Sequence, residues 1–140
     1  MDPTFPAEPL NHRKKRILLV DDEPFITGML RMNLEDIEHY EVREENNPTR
    51  TMATIQDFMP DLILLDVMMP DLDGADIFYR LKNDQRLKHI VVVFHTATIR
   101  RAELDTHGIL ISGYSFIPKP ASAATIIACI ESHLGPATPA

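Results

Sequence analysis

Three short, uninterrupted apolar runs constrain the fold of this chain more than any other feature. They are Ile17–Val20, Leu62–Leu65 and Ile90–Phe94. Runs that are continuous rather than alternating are typical of strands covered on both faces, as in a parallel sheet. Tyr40–Arg43 and Tyr114–Ile117 are weaker candidates of the same kind. The sequence therefore predicts five strands.

Stretches with helical periodicity separate these runs. Helices with apolar residues on one side are predicted over Pro24–Ile37, Thr49–Met59, Ala75–Asn83 and Ser122–Leu134. Ile99–Gly113 shows no clear periodicity, because Gly108 and Gly113 interrupt it. Strands that alternate with helices predict a doubly wound α/β fold, with a five-stranded parallel sheet and right-handed crossovers.

Composition limits the class of protein. The chain has 140 residues, of which 44% are hydrophobic and 25% charged, as expected for one globular domain. Its net charge of −7 argues against nucleic-acid binding through phosphate contacts. It has one cysteine, no apolar signal core and no apolar run near the roughly 18 residues that span a bilayer, so we expect a cytoplasmic location away from membranes.

Proline-rich segments lie at both ends of the chain. Residues 1–13 are interpreted as a disordered lead-in, with an expression tag as one possible origin of part of it. Residues 135–140 are interpreted as a linker stub or tail. The folded domain is therefore predicted over residues 14–134.

Polar residues follow four of the five predicted strands. The first strand is followed by Asp21 and Asp22, the third by Asp66, the fourth by Thr96 and the fifth by Lys119. In doubly wound folds, ligands bind outside the carboxyl ends of the strands. We therefore expect these side chains to converge at one edge of the sheet.

Three carboxylates in one small pocket repel each other unless a cation is bound. Mg²⁺ prefers oxygen ligands and keeps several waters, so it suits such a pocket. The ion, the charge of Lys119 and the hydroxyl of Thr96 would stabilise a phosphoryl group. One carboxylate is then left as a nucleophile that forms an aspartyl phosphate, and Asp66 is predicted because its strand is central.

The same residues form a recognisable series of motifs. Asp21-Asp22, Asp66 followed by Met69-Pro70 and Gly74, Thr96-Ala97 and Lys119-Pro120 resemble the receiver domain of two-component response regulators, in order and in spacing. The resemblance covers about residues 14–134. It implies a flavodoxin-like fold with strand order 2-1-3-4-5. It also implies that Asp66 accepts a phosphoryl group from a histidine kinase or histidine phosphotransfer protein, in phosphorelay signal transduction rather than as an enzyme.

The resemblance also implies a role for each matching residue. Asp22, Asp66 and the backbone carbonyl of Met68 would hold Mg²⁺ directly, and Asp21 would act partly through water. Apolar Met68, two residues after Asp66, is predicted to hinder the attacking water and to prolong the phosphorylated state beyond seconds.

Further residues match the switch of the family. Lys119 would pair with the phosphoryl group, Thr96 would move to bind it, and Phe116 would rotate on activation. The Lys119–Pro120 bond is a candidate cis peptide. The output face implied is that of the fourth and fifth helices, for a homodimer or a downstream effector. Ala121 stands where a bulky apolar residue is common.

Two other classes of function stay open at this point. One is a receiver-like scaffold that binds partners without phosphorylation. The other is a small phosphatase with an aspartate nucleophile, since Asp71–Gly74 superficially resembles the Asp-x-Asp motif of haloacid-dehalogenase-like phosphatases. In that family the first aspartate ends an apolar strand, whereas here Met-Met-Pro precedes it. The sequence also does not choose between a stand-alone regulator and a domain of a larger protein.

Overall fold

The computed structural model describes residues 14–35, 40–66, 68–69, 72–96, 115–119 and 121–135. Five strands form one sheet: β1 (Lys15–Val20), β2 (Tyr40–Glu45), β3 (Leu62–Leu65), β4 (Val91–Thr96) and β5 (Ser115–Pro118). All neighbouring pairs are parallel, and the order is β2-β1-β3-β4-β5. The predicted fold class and the strand order 2-1-3-4-5 are therefore confirmed.

Four α-helices are described: α1 (Pro24–Glu35), α2 (Thr51–Phe58), α3 (Gly74–Lys82) and α4 (Ala123–Leu134). The helix predicted over Thr49–Met59 is divided, because a 3₁₀ helix over Pro48–Arg50 precedes α2. Met59 ends α2 in the left-handed region, with a φ of 50°. The last helix begins as predicted, since the Ser122 side chain caps it by accepting a hydrogen bond from the Thr125 backbone.

One further difference concerns the segment that follows β3. A two-stranded antiparallel ribbon pairs Met68–Met69 with Leu72–Asp73, and the sequence analysis did not predict it. Ile99–Gly113, the part of the chain between the predicted fourth and fifth strands, lies outside the described residues, as do residues 1–13 and 136–140. The helix predicted over Ser122–Leu134 corresponds to α4.

The core has two layers, one on each face of the sheet. Successive strand residues point to opposite faces, so Leu18 and Val20 of β1 pack with residues of α2 and α3, whereas Ile17 and Leu19 pack with residues of α1 and α4. All four side chains of β3 are buried. The continuous apolar runs are therefore explained by burial on both faces. In the described part of the chain, no helix is long and apolar enough to cross a bilayer.

Candidate functional site

The carboxyl ends of β1 and β3 place two aspartates side by side. Asp21 follows Val20 and Asp66 follows Leu65, and these two strand residues are partners in the register of the sheet. The backbone N–H of Asp66 donates to the carbonyl of Val20 at 3.0 Å, and that of Asp21 donates to the carbonyl of Glu45 at 3.2 Å. Sheet hydrogen bonding thus continues past the strand ends and holds both aspartates.

Asp21, Asp22 and Asp66 form the acidic cluster of the site. One carboxylate oxygen from each lies within 4.8 Å of the other two. Asp21 and Asp66 are buried, with 3% and 4% of their surface exposed, and Asp22 is half-buried. Three carboxylates whose oxygen atoms lie this close together suit a hard divalent cation such as Mg²⁺. The convergence predicted for these three residues is therefore found in the fold.

Lys119 reaches the cluster from the end of β5. Its Nζ atom forms an ion pair with Oδ2 of Asp21 and lies 3.3 Å from Oδ2 of Asp66. It also lies 3.4 Å from Oε1 of Glu23, and the lysine side chain is only 7% exposed. Because this ammonium group touches the carboxylate predicted as the nucleophile, it is placed to neutralise charge that arrives there.

For both Asp21 and Lys119, burial and the opposite charge of a neighbouring residue shift the pKa in opposite directions. Burial raises the pKa of Asp21 above its usual value, although the hydrogen bond from Lys119 and that from the backbone of Glu23 lower it. Burial would lower the pKa of Lys119, but hydrogen bonds and charge from Asp21 and Asp66 outweigh it, so that pKa is raised. Lys119 therefore stays positively charged at neutral pH.

The other predicted residues lie in the neighbouring strands and the ribbon. Thr96 ends β4 and pairs in register with Pro118, one residue before Lys119. Phe116 lies within β5 opposite Phe94 of β4. Met68 lies in the ribbon that follows Asp66. The Lys119–Pro120 peptide bond proposed as cis lies outside the described residues.

The sequence analysis missed two polar residues that contact the site. The backbone N–H of Glu23 donates to Oδ1 of Asp21 at 3.0 Å, and its carboxylate contacts Lys119. The Asn46 side chain donates to the backbone carbonyl of Asp21 at 2.8 Å. Asn46 directly follows β2, so the strand-end rule would have found it if β2 had been predicted to run to Glu45 rather than to Arg43.

A buried histidine lines a cavity beside the site. The cavity measures about 290 Å³, and its lining residues are Glu23, Ile26, Met29, Leu30, His95, Lys119 and Ala121. His95 is only 4% exposed, and its Nε2 atom has no hydrogen-bond partner among the described residues. Burial and the charge of Lys119 lower the pKa of His95 to about 4. The imidazole is therefore neutral at physiological pH.

The family now follows from comparison with known proteins. The profile of the response regulator receiver domain matches residues 17–131, a span that includes all four site side chains. The chain belongs to this family. The acidic cluster of Asp21, Asp22 and Asp66 and the contact with Lys119 both lie within the matched span.

Two curated relatives differ in how much of their own length this chain covers. It is 36% identical over 122 residues to the phosphate regulon transcriptional regulatory protein PhoB of Pseudomonas aeruginosa, covering 86% of this chain and 52% of PhoB. It is 31% identical over 124 residues to the polar-differentiation response regulator DivK of Brucella anthropi, covering 88% of this chain and 98% of DivK. The chain thus spans about half of PhoB but almost all of DivK.

Solved structures support the fold. The chemotaxis protein CheY4 of Vibrio cholerae superposes with a TM-score of 0.76 at 22% identity, covering 86% of this chain and 99% of that one. A response regulator from Desulfuromonas acetoxidans superposes with a TM-score of 0.73 at 24% identity, covering 86% and 96% of the two chains. At this identity the likeness concerns the fold alone, and it agrees with the sheet described above.

Proposed function

We propose that this receiver domain accepts a phosphoryl group on Asp66 from the phosphohistidine of a histidine kinase or histidine phosphotransfer protein, in the presence of Mg²⁺. The observation that carries the proposal is the contact of Lys119 with Asp66, 3.3 Å between Nζ and Oδ2, within a cluster of three carboxylates. A buried carboxylate with a cation beside it is suited to attack a phosphoryl group and to retain it.

The transfer step is an in-line displacement. An oxygen of Asp66 forms a bond to phosphorus while the phosphorus–nitrogen bond of the donor breaks, and the electron pair returns to the imidazole of the donor. Lys119 moves its ion pair from the carboxylates to the oxygens of the new acyl phosphate, which carries strong acceptor atoms. Asp21, Asp22 and the Met68 carbonyl, with Asp66, would hold Mg²⁺, which supplies positive charge against the phosphoryl oxygens.

The output of the modified domain is proposed to pass through Thr96 and Phe116. The hydroxyl of Thr96 would bind the phosphoryl group and Phe116 would rotate. A pre-existing equilibrium would then shift on the face of the fourth and fifth helices that the resemblance to the family implies. That face would form the interface of a homodimer or bind a downstream effector. We propose that neither nucleic acid nor a membrane is a direct partner. We also propose a cytoplasmic location, where kinases of this class can reach the site.

An apolar stripe on α1 supports a protein as the donor. Phe25, Met29 and Met32 lie at helical spacing and are 82%, 46% and 73% exposed. Phe25 is two residues from Glu23, which contacts Lys119, so the stripe begins beside the acidic cluster. Exposed apolar patches of this kind mark protein–protein contact sites, and a donor must cover this rim to bring its phosphohistidine to Asp66.

The test is phosphate incorporation from a small acyl phosphate, measured by intact-protein mass spectrometry with and without Mg²⁺. We expect the unmodified protein to gain one phosphoryl group only with Mg²⁺, and Asp66→Asn to gain none. Asp76→Asn removes an exposed aspartate of α3 and should leave incorporation unchanged. Labelling that persists in Asp66→Asn would refute the assignment of the nucleophile.

The incorporation experiment and an assay of phosphate-ester turnover separate the other two functions. A scaffold that does not depend on phosphorylation predicts no incorporation into the unmodified protein. A phosphatase predicts continuous turnover of a generic phosphate ester. The proposal predicts neither result.

A further inference from the structure

The side chain of Asn46 joins the end of β2 to the loop that carries the acidic cluster. Its Nδ2 atom donates to the backbone carbonyl of Asp21 at 2.8 Å and to Oγ1 of Thr27 at 2.9 Å. Both hydrogens of the amide are thus used, one on the loop and one on α1. Within the described part of the chain, Asn46 is the side chain that donates to that carbonyl.

The surroundings of Thr27 determine which group donates in its hydrogen bond with Asn46. Its hydroxyl is 2.6 Å from Oε1 of Glu44, and the residue is 1% exposed. A hydroxyl has one proton, and the short contact to a carboxylate places that proton on the Glu44 side. Oγ1 of Thr27 is then left as an acceptor, which requires the NH₂ group of Asn46 rather than its oxygen.

Asp21 is consequently held on both of its peptide groups by the end of β2. Its N–H donates to the carbonyl of Glu45, and its carbonyl accepts from Asn46. That carbonyl belongs to the peptide group that joins Asp21 to Asp22. The orientation of this peptide plane sets where the Asp22 side chain leaves the backbone relative to that of Asp21.

We propose that Asn46 is a positioning residue for divalent-cation binding by Asp21, Asp22 and Asp66. It acts through the Asp21–Asp22 peptide group and does not touch the ion. The inference rests on the proposed function, because it assumes that the cluster binds Mg²⁺. Removing residues that orient the ligands of a metal typically weakens metal affinity about 10- to 100-fold, and this is the range expected for Asn46→Ala.

Asn47 provides the matched control. It is the same residue type at the next position, and its Oδ1 atom accepts from the backbone N–H of Thr49 at 3.0 Å and from the hydroxyl of Thr49 at 2.8 Å. This cap starts the 3₁₀ helix before α2. Asn47→Ala should therefore lower stability through a lost cap without changing the acidic cluster.

The experiment is a titration of four variants and the unmodified protein with Mg²⁺ by isothermal calorimetry, together with the Mg²⁺-dependent shift of the thermal midpoint. We expect the Mg²⁺ dissociation constant to rise at least about tenfold in Asn46→Ala and to stay unchanged in Asn47→Ala. Thr27→Val removes the second acceptor of Asn46 and keeps the side-chain shape, so it should weaken Mg²⁺ binding severalfold. Thr27→Ser restores the hydroxyl and should restore the affinity, which also covers the case in which Asn46→Ala does not fold.

The outcomes separate this inference from the proposed function. If the unmodified protein does not bind Mg²⁺, both are wrong. If it binds Mg²⁺ but Asn46→Ala and Asn47→Ala have equal affinities, whether unchanged or reduced, only the positioning role of Asn46 is wrong. Equal affinities of Thr27→Val and Thr27→Ser would overturn it in the same way.

Discussion

His95 should make the stability of this domain fall as the pH is lowered from 7.5 to 5. The imidazole lies on the face of the sheet that α1 and α4 cover, where Lys119 and Glu23 are the charged residues lining the same cavity. Burial, and next to it the charge of Lys119, lower its pKa from 6.5 to about 4. Protonation is therefore easier in the unfolded chain than in the native one.

The sign and size of the effect follow from this difference. Between pH 6.5 and 4 the unfolded state binds more protons at this residue, so the free energy of unfolding decreases as the pH falls. The full difference corresponds to about 3 kcal/mol, of which about 2 kcal/mol is lost by pH 5. The group is only 4% exposed, so solvent screening reduces this value little.

Urea unfolding at pH 7.5 and pH 5 measures this effect. Asp21 acts in the opposite direction, because its raised pKa favours the native state at low pH, but it is present in every variant. In His95→Leu, which cannot titrate, the loss of unfolding free energy between the two pH values should be smaller than in the unmodified protein by about 2 kcal/mol. His89→Gln, at an exposed histidine, should behave as the unmodified protein does.

An equal pH dependence in His95→Leu and in the unmodified protein would refute the reasoning. It would mean that native His95 takes up its proton as readily as the unfolded chain, despite its burial. The comparison of two pH values within each variant removes the constant cost of repacking the cavity.

Two further predictions concern the lifetime and the source of the phosphoryl group. Met68→Asn should shorten the half-life of phosphorylated Asp66 severalfold, because a polar side chain two residues after the nucleophile admits the attacking water; an unchanged or longer half-life, followed by intact mass, would contradict this. Phe25→Ser should slow transfer from a phosphohistidine protein at least about tenfold, as expected when a large aromatic side chain that the donor covers is removed, and leave labelling by a small acyl phosphate unchanged. Equal slowing with both donors would show that Phe25 acts on the site and not on docking.

Much of the sheet could be predicted from the sequence, because burial on both faces of a parallel sheet leaves a local signal. β3 has the predicted bounds, and β1 and β4 contain almost all of their predicted runs. The strand-end rule then predicts that Asp21, Asp22, Asp66 and Lys119 meet at one edge of the sheet. The sequence is enough to apply that rule, because the rule depends only on where parallel strands end.

Local structure that depends on turn chemistry was predicted less well. Thr49–Met59 carries one helical pattern, yet it divides because the cap of Asn47 and the ring of Pro48 start a 3₁₀ helix first. The Met68–Asp73 ribbon has only two residues in each strand, too few for any periodicity. In both cases the deciding contacts involve only a few neighbouring residues, and such short patterns are ambiguous in a sequence.

The residues of the acidic cluster and Lys119 could thus be predicted from the sequence. The contacts and the burial of the residues around them were decided by the tertiary structure alone. Asn46 meets the Asp21 carbonyl across 25 positions of sequence, only because β1 and β2 pair in a register that opposes Val20 and Glu45. His95 is buried because α1 and α4 cover that face, although nothing in its neighbours along the chain requires it. A hydrogen bond between distant residues depends on the register of two strands, and burial depends on which helix covers them, so neither quantity is a property of a local sequence.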